Sequence, residues 1–164
     1  VGDAEGQRES APRATLELAR SDIGFSAAHF SVVDGRSERL HGHNYTVTLR
    51  AHGHVRGDGS VVDFAVLKRL LRAACAELDE RMLVPADAEH LQISSEGSDV
   101  VVRHMSLRYV FPAGDVRLLP IVNTTCECLA DHLLDVIRAG LGDLPVRLDI
   151  RVEESPGQGA TVSE

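Results

Sequence analysis

With 164 residues, 43% of them hydrophobic, the chain has the size and composition of one domain with a core of its own. Its net charge of -8 and pI near 5.4 argue against a nucleic-acid partner, and a polyanionic substrate would have to be met by a local cluster of Arg or Lys. Three cysteines without a disulfide framework, no apolar run of membrane-spanning length and no signal-peptide segment at the N-terminus give the expectation of a cytoplasmic protein with no membrane partner.

Residues 1–13 are polar and aperiodic, so a loose tail is expected there, followed by a single domain over 14–164. From Thr15, Leu16 and Leu18 keep one parity and Ile23 and Phe25 the other, which predicts a bulge or bend between Arg20 and Asp22. Phe25, Ala27 and His29 are in step, making His29 the last inward residue of that strand. The loop from Ser31 to Arg39 carries the turn signal Asp34-Gly35. His41, His43, Tyr45, Val47 and Leu49 then share one face, with Thr46, Thr48 and Arg50 on the other, which predicts a strand from His41 to His54.

Gly57-Asp58-Gly59 is expected to close a hairpin onto Val61-Val62, with Asp63 capping a helix that runs to Leu78 and carries Cys75 on its apolar stripe. Short strands are predicted between Leu91 and Val116, around Leu91–Ile93, Val100–Val102 and Leu107–Phe111. Thr124 and Glu127 have the spacing of a capping box for a second helix, Thr125 to Leu141, ended by Gly140 or Gly142. Val146, Leu148, Ile150 and Val152 alternate as a last strand that stops at Ser155-Pro156-Gly157. This order is α+β: an antiparallel sheet with two helices on one face.

His29 ends one strand, and His41 and His43 share a face of the next. If those strands pair, three imidazoles converge, and three neutral nitrogens with an open fourth position are the ligand set of a catalytic zinc site. His-x-His also occurs as ordinary half-buried residues. Here both lie on the apolar side, where an unpaired imidazole lacks a partner, and Gly42 between them lets another backbone or a ligand approach.

Phe25-Ser26-Ala27-Ala28-His29 followed by Leu40-His41-Gly42-His43-Asn44-Tyr45 resembles the zinc motif of the 6-pyruvoyltetrahydropterin synthase family, which includes the 6-carboxytetrahydropterin synthases. The likeness runs from Leu16 to Pro156. It implies the tunnelling fold (T-fold), with subunits ringed into a barrel and two rings stacked as a homohexamer, and zinc held by His29, His41 and His43. The metal would hold the substrate's side-chain hydroxyls and lower their pKa. Glu154 matches the family's pterin-anchoring glutamate, whose carboxylate accepts the paired N–H donors of the amino-pyrimidinone edge. Asn123-Thr124-Thr125-Cys126-Glu127 resembles the family's Asn-Pro-Thr-x-Glu, with threonine for proline, and makes Thr124, Thr125 and Glu127 substrate-binding candidates. Helix capping accounts for the same residues without any function.

Two departures bear on the chemistry. Ser37 stands where the family has its catalytic cysteine, and a hydroxyl is a poorer base or nucleophile than a thiolate. At the family's Asp-His pair, Asp79 is kept but Glu80 replaces the histidine. Glu38, beside Ser37, resembles the glutamate of a branch that cleaves the side chain of dihydroneopterin triphosphate to leave 6-hydroxymethyl-dihydropterin. The catalytic candidates are therefore Glu38, Asp79 and Ser37. Three functions stay open: a zinc-dependent pterin lyase or synthase with Glu38 as base, a pterin- or purine-binding homologue without that activity, and a ring-forming protein whose zinc is structural. Glu154 argues against the last, since assembly needs no pterin anchor.

Overall fold

A computed structural model describes residues 11–164; residues 1–10, most of the expected tail, lie outside the described residues. In chain order come β1 (Arg13–Leu18), β2 (Gly24–His29), β3 (Val32–Val33), β4 (Arg36–Ser37), β5 (His41–His54) and α1 (Phe64–Ala76). They are followed by β6 (Arg81–Pro85), β7 (Gln92–Glu96), β8 (Asp99–His104), β9 (Leu107–Pro112) and β10 (Val116–Leu119). Last come α2 (Cys126–Leu141), β11 (Arg147–Ser155) and β12 (Gln158–Ser163).

The principal sheet has seven strands in the order β10-β6-β2-β5-β11-β12, with β1 also paired to β5. β1 and β2 lie end to end along one edge of β5, from Arg13 opposite His54 to His29 opposite His41. The parity switch in the sequence is the turn between them, where the Ile23 amide donates to the Arg20 carbonyl at 3.1 Å. Arg13, assigned to the tail, already begins β1.

Five sequence-based expectations are corrected. The hairpin onto Val61-Val62 does not form, because β5 near His52 is already paired with β1 on one side and β11 on the other. The two valines enter the core as a bend instead. α1 ends at Ala76, two residues before Leu78, although its cap stands: the Asp63 carboxylate accepts from the Ala65 amide at 2.7 Å. Thr125, not Thr124, caps α2, accepting from the Cys128 amide at 3.4 Å, and Gly142 at φ 67° ends that helix.

The chain also does not stop at Gly157. That residue, at φ 84°, turns it back into β12 against β11. Finally the sheet, antiparallel elsewhere, ends in two parallel pairings, β2 with β6 and β6 with β10. Parallel neighbours need a long crossover. Between β6 and β10 that crossover is a separate three-stranded antiparallel sheet, β7-β8-β9.

The main core lies between the sheet and the two helices, around Leu49, Leu148 and Ile150 from the strands and Leu71, Leu133 and Ile137 from the helices, all 1% exposed or less. A second cluster of Phe30, Met82, Val84, Val100 and Val102 joins the three-stranded sheet to the segment just after His29. No helix among the described residues is long and apolar enough to cross a membrane.

Candidate functional site

β2 and β5 pair so that His29 stands directly opposite His41, and Ala27 opposite His43. Because alternate residues of a strand share a face, all three imidazoles project from the helix-covered side, at the end where α2 begins. The pairing is close at Gly42: a Cβ there would sit 3.0 Å from the Ala27 carbonyl oxygen, so the neighbouring backbone would have to give by a few tenths of an ångström. The glycine admits the neighbouring backbone. The ring centroids are 4.6 Å (His29–His41), 4.8 Å (His41–His43) and 5.2 Å (His29–His43) apart.

The hydrogen bonds decide which nitrogens are free. His29 Nδ1 lies 3.1 Å from the Thr124 carbonyl oxygen, and His41 Nδ1 lies 2.7 Å from that of Arg39. A carbonyl can only accept, so both Nδ1 atoms carry the proton and both Nε2 atoms keep their lone pair. His29 Nε2 and His43 Nε2 are buried with no hydrogen-bond partner among the described residues. Two orphaned buried nitrogens are costly in a protein interior, and one donor atom from each histidine falls within 4.8 Å of the others. A metal ion resolves both facts. Holding a ligating imidazole by hydrogen-bonding its other nitrogen is also the usual way to orient it.

Burial, and then the charges of His41 and His43, push the His29 imidazole below its ordinary value, which keeps it in the neutral, ligating form. The three histidines differ in exposure: His29 is buried, His43 half-buried and His41 exposed, since the end of β5 runs past the cover of the helices.

The histidines form one wall of a cleft of about 290 Å³ that also takes in Ser31, Glu38, Thr125, Cys126, Glu127, Glu154 and Gln158. Glu38 is exposed there, and its Oε2 accepts from the Ser31 amide at 3.3 Å. Glu154 Oε2 lies 3.9 Å from His43 Nε2 and 3.8 Å from Cys126 Sγ, and its Oε1 accepts from Gln158 Nε2 at 2.5 Å. Burial and the Glu154 charge push the Cys126 thiol up to about 11, so it stays protonated near neutrality. The Tyr45 hydroxyl is buried and unpartnered among the described residues, and burial raises its phenol.

The structure thus brings His29, His41, His43, Glu38, Thr125, Glu127 and Glu154 to one cleft. Thr124 lies behind it, fully buried: its hydroxyl donates to the Phe30 carbonyl at 3.0 Å and its own carbonyl holds His29. Ser37 is turned away, its Oγ 2.6 Å from His104 Nδ1. Asp79 is on the opposite face, accepting from the Ser26 amide at 2.7 Å and lining a separate pocket with Asn44 and Thr46. Glu153 also faces away from the histidines and pairs with Arg151 at 2.9 Å. Gln158 was not foreseen as a site residue, because nothing in the alternation after Pro156 announced a returning strand.

Residues 19–164 match the family model for 6-pyruvoyl tetrahydropterin synthase. The chain belongs to that family. A Methanocaldococcus jannaschii relative described as a 6-carboxy-5,6,7,8-tetrahydropterin synthase is 31% identical over 152 residues, 88% of this chain and 93% of its own. The 6-pyruvoyl tetrahydropterin synthase of Plasmodium falciparum superposes with a TM-score of 0.89 at 30% identity, over 93% of this chain and 98% of that one. A Plasmodium vivax 6-pyruvoyltetrahydropterin synthase, solved with its catalytic glutamate replaced by alanine, superposes at 0.85 with 32% identity and the same coverage. The curled, mostly antiparallel sheet with two helices is the T-fold of these synthases, and the family's general function, pterin synthesis, comes with it.

Proposed function

We propose that the chain is a zinc-dependent pterin lyase acting on 7,8-dihydroneopterin triphosphate or a close relative, with Glu38 as its general base. No Arg or Lys lines the cleft among the described residues of one chain, so the triphosphate would have to be met by basic groups beyond its wall. The observation that carries this reading is the division between neighbours: Glu38 lines the cleft of the three histidines, whereas Ser37, at the position of the family's cysteine, bonds to His104. Cys126, the thiol in the cleft's lining, has its pKa raised in the metal-free chain by burial and then by the Glu154 charge. The base in the cleft is on this reading the Glu38 carboxylate, and the Plasmodium vivax synthase also has a glutamate as a catalytic residue.

His29, His41 and His43 hold the zinc, which supplies Lewis-acid polarisation of the substrate's side-chain hydroxyls. Glu154 anchors the ring by accepting two N–H bonds from its pyrimidinone edge, with Thr125 and Glu127 at the start of α2 beside it. Glu38 takes the proton of a side-chain hydroxyl as the adjacent carbon–carbon bond breaks. The outer carbon leaves as an aldehyde carrying the phosphates, and the electron pair left on the ring-side carbon takes back the proton from Glu38, leaving a hydroxymethyl group on the pterin. Asp79 has no part in this within one chain. Among the described residues β10 and β12 each have one partner strand and are open edges of the principal sheet; pairing them between copies closes a ring, and a homohexamer of two stacked rings is the assembly we assign.

The test is metal analysis followed by incubation with 7,8-dihydroneopterin triphosphate and chromatography of the pterins. One zinc per chain and 6-hydroxymethyl-dihydropterin are expected. Substrate bound but recovered unchanged would assign a pterin-binding protein instead.

The ring anchor has its own expected result. Glu154→Gln turns one acceptor into a donor facing a donor, and a charge-assisted bond is worth about 1.5–3 kcal/mol. Calorimetry with neopterin should show binding weakened on the order of tenfold to a hundredfold. Glu153→Gln should change it little, because Glu153 faces away toward Arg151. The reverse pattern would move the pocket to the other face.

A further inference from the structure

We propose that His104 is a positioning residue for Glu38, which makes the three-stranded β7-β8-β9 sheet a working part of the active site. The inference rests on the reading of Glu38 as the base. It starts from the weakness of the segment that carries that residue. β3 and β4 form a hairpin of two residue pairs, Val32 with Ser37 and Val33 with Arg36, turned at Asp34 and Gly35 with φ of 50° and 72°. A ribbon that short does not hold its own position.

Two side-chain clamps from distant parts of the chain hold it. On the first strand, Asn123 receives the Val32 amide on Oδ1 at 3.2 Å and donates from Nδ2 to the Val32 carbonyl at 2.9 Å. On the second, the Ser37 hydroxyl meets His104 Nδ1 at 2.6 Å across 67 positions of sequence. Glu38 follows directly, its amide bonded to the Ser31 carbonyl at 2.9 Å and its carboxylate to the Ser31 amide at 3.3 Å. The base thus sits at the foot of a hairpin held by the Asn123 clamp on one strand and the His104 clamp on the other.

His104 is itself well fixed. It closes β8 in step with Val100 and Val102, which pack on Phe30 and Met82 in the second core cluster, and it is 6% exposed. Met105, at φ 53°, then swings the chain into β9. The imidazole is a polar end to an apolar stripe, and a buried imidazole without a partner is costly. Its partner is Ser37. On this account the hydroxyl at the cysteine position is a tether for the residue beside it, and proton transfer is left to Glu38.

The test compares His104→Leu, His104→Asn, Ser37→Ala and the double variant S37A/H104L in the full chain. Asparagine can place a polar atom near the site of Nδ1, and leucine is of similar size without one. Displacing a catalytic group by about 1 Å can cost on the order of a hundredfold. His104→Leu and Ser37→Ala are therefore each expected to lower kcat by on the order of tenfold to a hundredfold, with KM and metal content little changed. The double variant should be no worse than either single one, because both remove the same bond, and His104→Asn should recover most of the rate.

Amide hydrogen exchange gives a readout independent of turnover. The Ser31 and Glu38 amides should exchange faster in the leucine and alanine variants than in wild type or His104→Asn. Unchanged kcat and unchanged exchange in His104→Leu overturn the proposal, as does exchange accelerated equally throughout β7, β8 and β9 in both His104 variants. If the exchange result holds but Glu38→Gln turns over like wild type, the tether stands and Glu38 loses its role. If Glu38→Gln is inactive and His104→Leu is not impaired, the tether alone falls.

Discussion

Glu38→Gln is expected to lower kcat by on the order of a hundredfold to ten-thousandfold, the contribution of a placed general base. Glutamine keeps the shape of the side chain and its acceptor oxygen toward the Ser31 amide, 3.3 Å away, so the loop should keep its form. What is lost is a site that can take a proton. Metal content and neopterin affinity should be nearly unchanged, because neither the histidines nor Glu154 depends on Glu38 for its hydrogen bonds. Single-turnover kinetics alongside calorimetry check this. A variant that binds normally and turns over at the wild-type rate would remove Glu38 from the chemistry and leave the cleft without an identified base.

His41→Ala is expected to leave the protein folded and almost free of metal. Removal of an outer hydrogen-bond partner of a ligand already costs about 10–100-fold in metal affinity, and losing one of three ligands outright costs more. His41 suits the test because it is exposed, so its loss opens no cavity in the core. His29→Ala would confuse the two effects: His29 is 2% exposed, and its removal leaves the Thr124 carbonyl without its donor. Metal analysis after dialysis, with thermal unfolding of the metal-free proteins, reads both quantities. Full metal occupancy in His41→Ala would refute the three-histidine site.

Acid should act in the same direction. The folded metal-free chain holds the His29 imidazole below its ordinary value of about 6.5, so on acidification the unfolded chain takes up that proton first. Stability therefore falls as the pH drops below about 6.5. Metal affinity falls over the same range, because a protonated imidazole cannot ligate.

The extent of β5, the capping of α1 by Asp63 and the shared face of His41 and His43 could all be read from the chain, because period and capping are local properties written in adjacent residues. So could the opposed faces of Glu153 and Glu154. The sequence motif brought the three histidines together only on the condition that β2 and β5 pair. The register that sets His29 opposite His41 is a tertiary fact, and the glycines of the pair accommodate it: a Cβ at Gly24 would run into the Tyr45 carbonyl oxygen, and one at Gly42 would meet the Ala27 carbonyl oxygen at 3.0 Å.

The parallel strand β6 escaped the reading because its short run Met82-Leu83-Val84, buried on both sides, has no alternation to betray it. β10 is only four residues long and buries Leu119 alone, so it has no period to read. β12, and with it Gln158, escaped for a related reason: its pairing comes from the turn at Gly157 and from an edge of β11 that no local pattern advertises.

The choice between Ser37 and Glu38 shows where local information ends. Read as a loop, the stretch from Ser31 to Arg39 leaves both residues as candidates; only the extended backbone at the end of β4, where neighbours point to opposite sides, limits the histidine-facing position to one of the two. Which one was decided by His104, brought 67 positions along the chain to the Ser37 hydroxyl by a separate sheet. Its hydrogen bond takes the serine out of the cleft and leaves the carboxylate in it.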